Sequence, residues 1–346
     1  MFNYAAHEAC EWDDASVSNL EGGPALVSCA PNADGGRAAA SLAMEVLTPR
    51  EVPLGGPRAM TVRRTLPSRS RSLIGAWCFV DHYGPDPVAE TGGMSVAPHP
   101  HTGLQTVSWL FTGEITHRDS AGHHAAVRPG ELNLMTAGRG ISHSEVSTPA
   151  TAVLHGAQLW VALPEEARHG EPGFAHHAPE AVTGVGFEAR VFLGSLLGQV
   201  SPVPTATPLL GAELVLEPGA SVILEVDPGF EHGVLVDLGD IDVAGGQAAA
   251  HDLVYVPAGR RTLDLTAGAE RARVLLLGGP PFGEPIVMWW NFVGRTHEEI
   301  VAFRDAWQEQ VGDDGLSDGA FGQPIGESLD PIPAPGLPGV RLKVRR

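Results

Sequence analysis

Turn residues punctuate this chain so densely that few folds can accommodate it. Gly 43 and Pro 29 are spread through 346 residues, while charged residues make up only 18%. After Met44, short alternating segments such as MTVRRTL, HTGLQTVSWLF and AVLHGAQLWVALP recur about every eight to twelve residues, with Gly or Pro-Gly between them. Long amphipathic helices cannot be written in such a pattern. The rhythm predicts an all-β fold of packed sheets or barrels.

The same rhythm occurs twice. A first series runs to QLWVALP, and a second runs from ARVFLGSLLG to ARVLLLGGPP. Between them lies PEEARHGEPGFAHHAPEAV, which breaks the alternation and reads as a linker. A chain of this length outgrows one ordinary core, and 43% hydrophobic residues can fill two. The expected division is a disordered N-terminal tail over 1–44, a first barrel over 45–178, a second over 179–310, and an extended C-terminal tail over 311–346. The second unit includes one helix in HEEIVAFRDAWQEQ, with Thr296 placed to cap it and Glu299 three residues on.

Charge and cysteine content narrow the function classes. With 41 acidic against 22 basic residues, the net charge of -19 opposes a phosphate backbone, so direct nucleic-acid binding is not expected. The nearest candidates for a basic patch, around Arg63, Arg64, Arg69 and Arg71 and at Arg341 to Arg346, are short and read as solubilising loop and tail. Cys10, Cys29 and Cys78 form no paired motif, which suits a reducing compartment. No stretch is apolar for long enough to span a membrane. A soluble, cytoplasmic protein is the expectation.

Histidine placement is where the chemistry concentrates. Seven of the 15 histidines fall between His82 and His143. His99 and His101 are spaced i, i+2, as are His143 and Glu145, and on a strand each pair points to one face. Two such strands side by side would bring three imidazoles and a carboxylate together. A polar set facing a barrel interior is costly unless satisfied, and a metal ion satisfies it. His117, His123, His124, His232 and His251 lack such pairing and read as ordinary surface or hydrogen-bonded residues. With no cysteine nearby, the donors suit a divalent first-row ion in an open shell and disfavour structural zinc. Fe(II) fits, with Mn, Ni, Co, Cu and Zn left open by the same donors. Glu145 could serve as a ligand alone, the simpler role, or as a general base.

A Gly six residues ahead of HxH (Gly93, His99, His101) and a later Gly-x-x-His (Gly140, His143) look like the paired motifs of the cupin superfamily. DHYGP, HPHTGLQTVSWLFTGE, PGELNLMTAGRGISHSE, QLWVALP and GEPIVMWWNFV, in that order over roughly residues 45 to 310, resemble the pirin family. The resemblance implies two jelly-roll barrels packed face to face, with Fe(II) in the first alone, held by His99, His101, His143 and Glu145. It further implies a monomer and one of two uses. The first is a dioxygenase opening flavonols such as quercetin with release of carbon monoxide, its partners being a small aromatic substrate and dioxygen. The second is a redox-sensitive regulator binding a transcription factor or metabolic enzyme. One departure is visible: Gln105 occupies a position that is usually Glu in the family but is not a ligand there.

Overall fold

Two seven-stranded sheets meet face to face, and each is closed on its outer side by a four-stranded sheet. The computed structural model describes residues 44–54, 60–312 and 315–345. The expected N-terminal tail thus falls outside the described residues, except for Met44. Within the first barrel, the large sheet runs in the order Gly173–His177, Leu132–Thr136, Leu104–Thr112, Val153–Ala162, Trp77–Pro87, Met60–Leu66, Arg50–Leu54. Its small sheet runs Ser95–His101, Ile141–Ser147, Ile115–Asp119, His124–Val127. The second barrel repeats the plan, its small sheet being Ser221–Glu225, Thr262–Ala267, Ile241–Val243, Gly246–Ala248. The all-β, two-barrel expectation therefore holds.

Alternation explains why the sheets pack in this way. Along Leu104–Thr112, Val107 and Trp109 point to one side, and along Val153–Ala162 so do Ala157, Leu159 and Val161. They join Phe192, Leu235, Leu253, Leu275 and Leu277 of the second barrel in one continuous apolar seam. Trp109 is fully buried there, stacked on Phe192 at 4.5 Å, and its indole N–H donates to Glu213 across the seam at 2.9 Å. The intervening residues of the same strands, Thr106, Ser108, Gln158 and Trp160, face the interior of the first barrel.

Tertiary pairing redraws the chain-order division in three places. Glu45–Leu47 adds to Leu253–Val256 at the edge of the second barrel's large sheet, although the first domain begins at 45 in chain order. The linker supplies two edge strands, Gly173–His177 to the first barrel and Ala181–Gly184 to the second. The helix His297–Gln310 forms with Thr296 as its cap, accepting from Glu299 N–H at 3.1 Å. It packs on the hairpin Val287–Trp289/Phe292–Gly294, which bonds back to the first barrel through Val293 N–H and Thr102 O at 3.1 Å. Chain order had attached this helix to the second barrel. The C-terminal segment is no free tail either: Phe321, Ala334 and Leu342 are buried against the helix and hairpin, because apolar side chains there would otherwise face water. Among the described residues no helix is long and apolar enough to cross a membrane.

Of the basic cluster, Arg64 is turned inward into a two-pronged ion pair with Asp81 (2.7 and 2.8 Å), and Arg71 pairs with Glu45.

Candidate metal centre

Antiparallel pairing of Ser95–His101 with Ile141–Ser147 sets His143 directly opposite His99. His101 is two residues on, and its Nε2 lies 3.1 Å from Nε2 of His143. Ring centroids are 4.3 Å apart for His99 and His143 and 5.0 Å for the other two pairs. One ring nitrogen from each of the three lies within 4.8 Å of the others, and all three residues are buried.

The outward nitrogens of His99 and His101 are fixed by backbone. His99 Nδ1 donates to Ala97 O at 2.9 Å, and His101 Nδ1 donates to Asn291 O at 3.0 Å. Assigned in this way, each ring turns an unprotonated Nε2 inward. Burial pushes His99 down to about 4 and, with the neighbouring imidazoles, holds His101 and His143 well below their usual range. Converging lone pairs on neutral, buried rings form a poor hydrogen-bonding arrangement and a good set of donors for a cation. These residues fit a divalent metal ion.

Glu145 is placed differently from the two i, i+2 pairs read as one set. The register against Ser95–His101 shifts between His143 and Glu145, so Glu145 falls opposite Val96 on that side. On the other side it pairs with His117. Glu145, His117 and His143 form a second buried group whose donor atoms lie within 4.8 Å of one another, joined to the first through His143. Burial raises the Glu145 carboxyl above the usual range, although nearby His117 and a 3.0 Å hydrogen bond from Ser108 oppose the shift. Ser108 also stands 3.0 Å from Gln158.

His117 is the residue that sequence reasoning passed over. Its Nδ1 is 3.4 Å from His143 Nδ1, and its Nε2 is 3.2 Å from Asp119, which also holds half-exposed His123 at 3.0 Å. A usable signal was present: Ile115, His117 and Asp119 share one phase, and all three are buried while Thr116 and Arg118 are not. His123 stays with the bland reading, and so does exposed His124. His232, by contrast, is buried with neither ring nitrogen partnered. Gln105, at the position usually occupied by Glu in the family, is buried and donates to Thr136 at 2.9 Å. Trp160 forms an apolar wall, its ring edge-on to His101 at 5.1 Å and stacked on Phe79 at 4.0 Å.

The family model for pirin matches residues 59–161, and that for the pirin C-terminal cupin domain matches residues 211–311. A Pseudomonas aeruginosa protein named, provisionally, as a quercetin 2,3-dioxygenase is 45% identical over 294 residues, covering 84% of this chain and 91% of the relative. A Caulobacter vibrioides pirin-like protein is 36% identical over 256 residues, 71% of this chain and 88% of its own. The crystal structure of quercetin 2,3-dioxygenase from Acinetobacter baumannii superposes with a TM-score of 0.79 at 36% identity, covering 87% of this chain and 97% of that one. With both barrels matched in order, and the histidine cluster lying in the barrel that the first model covers, this chain belongs to the pirin family.

Proposed function

We propose that the first barrel is the active site of a non-haem, Fe(II)-dependent dioxygenase that opens flavonols such as quercetin, with His99, His101, His143 and Glu145 holding the ion. The observation that carries this reading is the convergence of three neutral, buried imidazoles, two of which, His99 and His101, have their outer nitrogens already committed to backbone carbonyls. The names of the Pseudomonas and Acinetobacter relatives support the substrate class. Bound there, the ion would supply Lewis acidity and one-electron redox chemistry matched to dioxygen and to a chelating hydroxy-ketone.

The chain's own residues have separate tasks. Ala97 O and Asn291 O keep the His99 and His101 rings from rotating or changing tautomer. Glu145, with its carboxyl raised by burial, would be the group that takes the proton of an acidic flavonol hydroxyl. Ser108 steadies that carboxyl. Trp160 offers a flat apolar face to an aromatic substrate and keeps water from the imidazoles. Free, buried Cys78 suits a cytoplasmic setting.

Oxygen uptake and loss of flavonol absorbance, measured on iron-loaded protein, test this directly. Wild type should turn over quercetin, and His99→Ala should lose at least about 100-fold. A wild type without turnover, or a variant equal to it, would end the proposal.

A further inference from the structure

Away from the first barrel's interior, a second group of donors spans the seam. His82, on Trp77–Pro87, and His155, on Val153–Ala162, both face Asp237 of the second barrel's strand Glu231–Leu238. His82 Nε2 is 2.7 Å and His155 Nε2 2.6 Å from the same oxygen, Oδ1. The three side chains are 0%, 10% and 0% exposed. Only the His82 contact is a hydrogen bond: His155 Nε2 approaches off the line that its N–H would need and has no other partner. His82 Nδ1 is likewise unpartnered. His251, held at φ 80 in a left-handed conformation that a side chain rarely adopts, sets its ring 5.1 Å from that of His82, with its own Nδ1 buried and unpartnered. Arg273 binds the other carboxylate oxygen, Oδ2, at 2.6 Å while lying over Phe111 at 4.1 Å, and so leaves Oδ1 to the imidazoles.

We propose that His82, His155 and Asp237 form a second metal site across the seam, for a divalent first-row ion of the zinc class, with His251 beside it as a further nitrogen donor. Two imidazoles and a one-oxygen carboxylate suit a tetrahedral or five-coordinate ion. Tetrahedral donors at about 2.0–2.2 Å from zinc lie roughly 3.3 Å from one another. An ion would therefore relax the 2.6 and 2.7 Å contacts instead of straining them. Burial pushes His82 down, which keeps it neutral and able to bind; Asp237 would rise on burial, but the two imidazoles held at 2.6 and 2.7 Å from its Oδ1 keep it ionised. Arg273 orients the carboxylate from outside, as outer partners of metal ligands do. With ligands from both barrels, the ion would tie one to the other.

A competing arrangement rests on Arg273 Nη2, 3.4 Å from His155 Nδ1. A guanidinium N–H claiming Nδ1 would keep the proton on Nε2 and leave a metal-free, hydrogen-bonded tie. Elemental analysis of full-length protein equilibrated with zinc and then dialysed separates the two. Two equivalents are expected for wild type, one for His101→Ala, one for Asp237→Asn, and none for the double variant. His155→Gln serves as a second seam variant should Asp237→Asn fold poorly. In the His101→Ala background, cobalt(II) should give visible d–d bands that His155→Gln abolishes. One equivalent in wild type and in the seam variants alike, or no cobalt bands in His101→Ala, would overturn the site.

Discussion

The two barrels share a plan and differ in what fills them. In the first, the small sheet turns His99, His101, His143, Glu145 and His117 inward, and the large sheet answers with Asp81, Arg64, Ser108, Gln158 and Asn133. In the second, the two corresponding strands of the small sheet carry Val222, Leu224, Leu263 and Leu265, and the core around them is apolar apart from buried His232. A polar interior contributes less hydrophobic stabilisation and demands that every group be partnered. Among the described residues, the second barrel's core raises that demand chiefly at His232, whose ring nitrogens are both unpartnered. One copy of the fold thus gathers the buried histidine cluster, while the other, joined to it by the Trp109–Phe192 seam, is filled mainly by apolar side chains.

The comparison breaks most visibly at the ligands. His101→Ala should lose the first-barrel equivalent of metal and cut any metal-dependent turnover by more than about 100-fold, as read by elemental analysis and oxygen uptake. Leu224→Ala, on the corresponding strand of the second barrel, should leave both unchanged. Next in size is the buried Arg64–Asp81 pair. Arg64→Ala strands a carboxylate inside the first barrel and should cost about 3–5 kcal/mol in urea unfolding, whereas Arg64→Met with Asp81→Leu should recover most of it. Leu265→Ala probes the apolar barrel by cavity formation and should cost about 2–5 kcal/mol.

Acid sharpens the contrast further. His99 titrates at about 4 in the folded chain, below its ordinary value of 6.5, because burial disfavours its charged form. A depressed imidazole contributes stability in full above the unfolded value, and that contribution is lost as pH falls from about 6.5 toward 4. Metal-free protein should therefore melt lower across that window. Saturating metal should steepen the loss, since protons compete for the same nitrogens. Thermal melts with and without zinc check this, and a flat profile in both would count against buried neutral ligands. The smallest effect is at the helix cap: Thr296→Ala should cost about 1 kcal/mol without touching the metal, read by denaturation and elemental analysis together.

Much of this molecule is written in local pattern. Alternation with closely spaced Gly and Pro was enough for two β-barrels, because a strand's side-chain period of two is a property of its own backbone. The pairs His99–His101 and His143–Glu145 were legible for the same reason, and so was the cap at Thr296. Partnership across strands was not. The register shift after His143 depends on how Ile141–Ser147 lies against two neighbours at once, and it puts Glu145 opposite His117. His82, His155 and Asp237 are up to 155 residues apart in sequence and meet only because two sheets stack face to face. Spacing along a strand determines which way a side chain points. What it meets there is decided by register, by sheet packing and by the returning C-terminal hairpin, whose Asn291 carbonyl ends up holding His101 from 190 residues away.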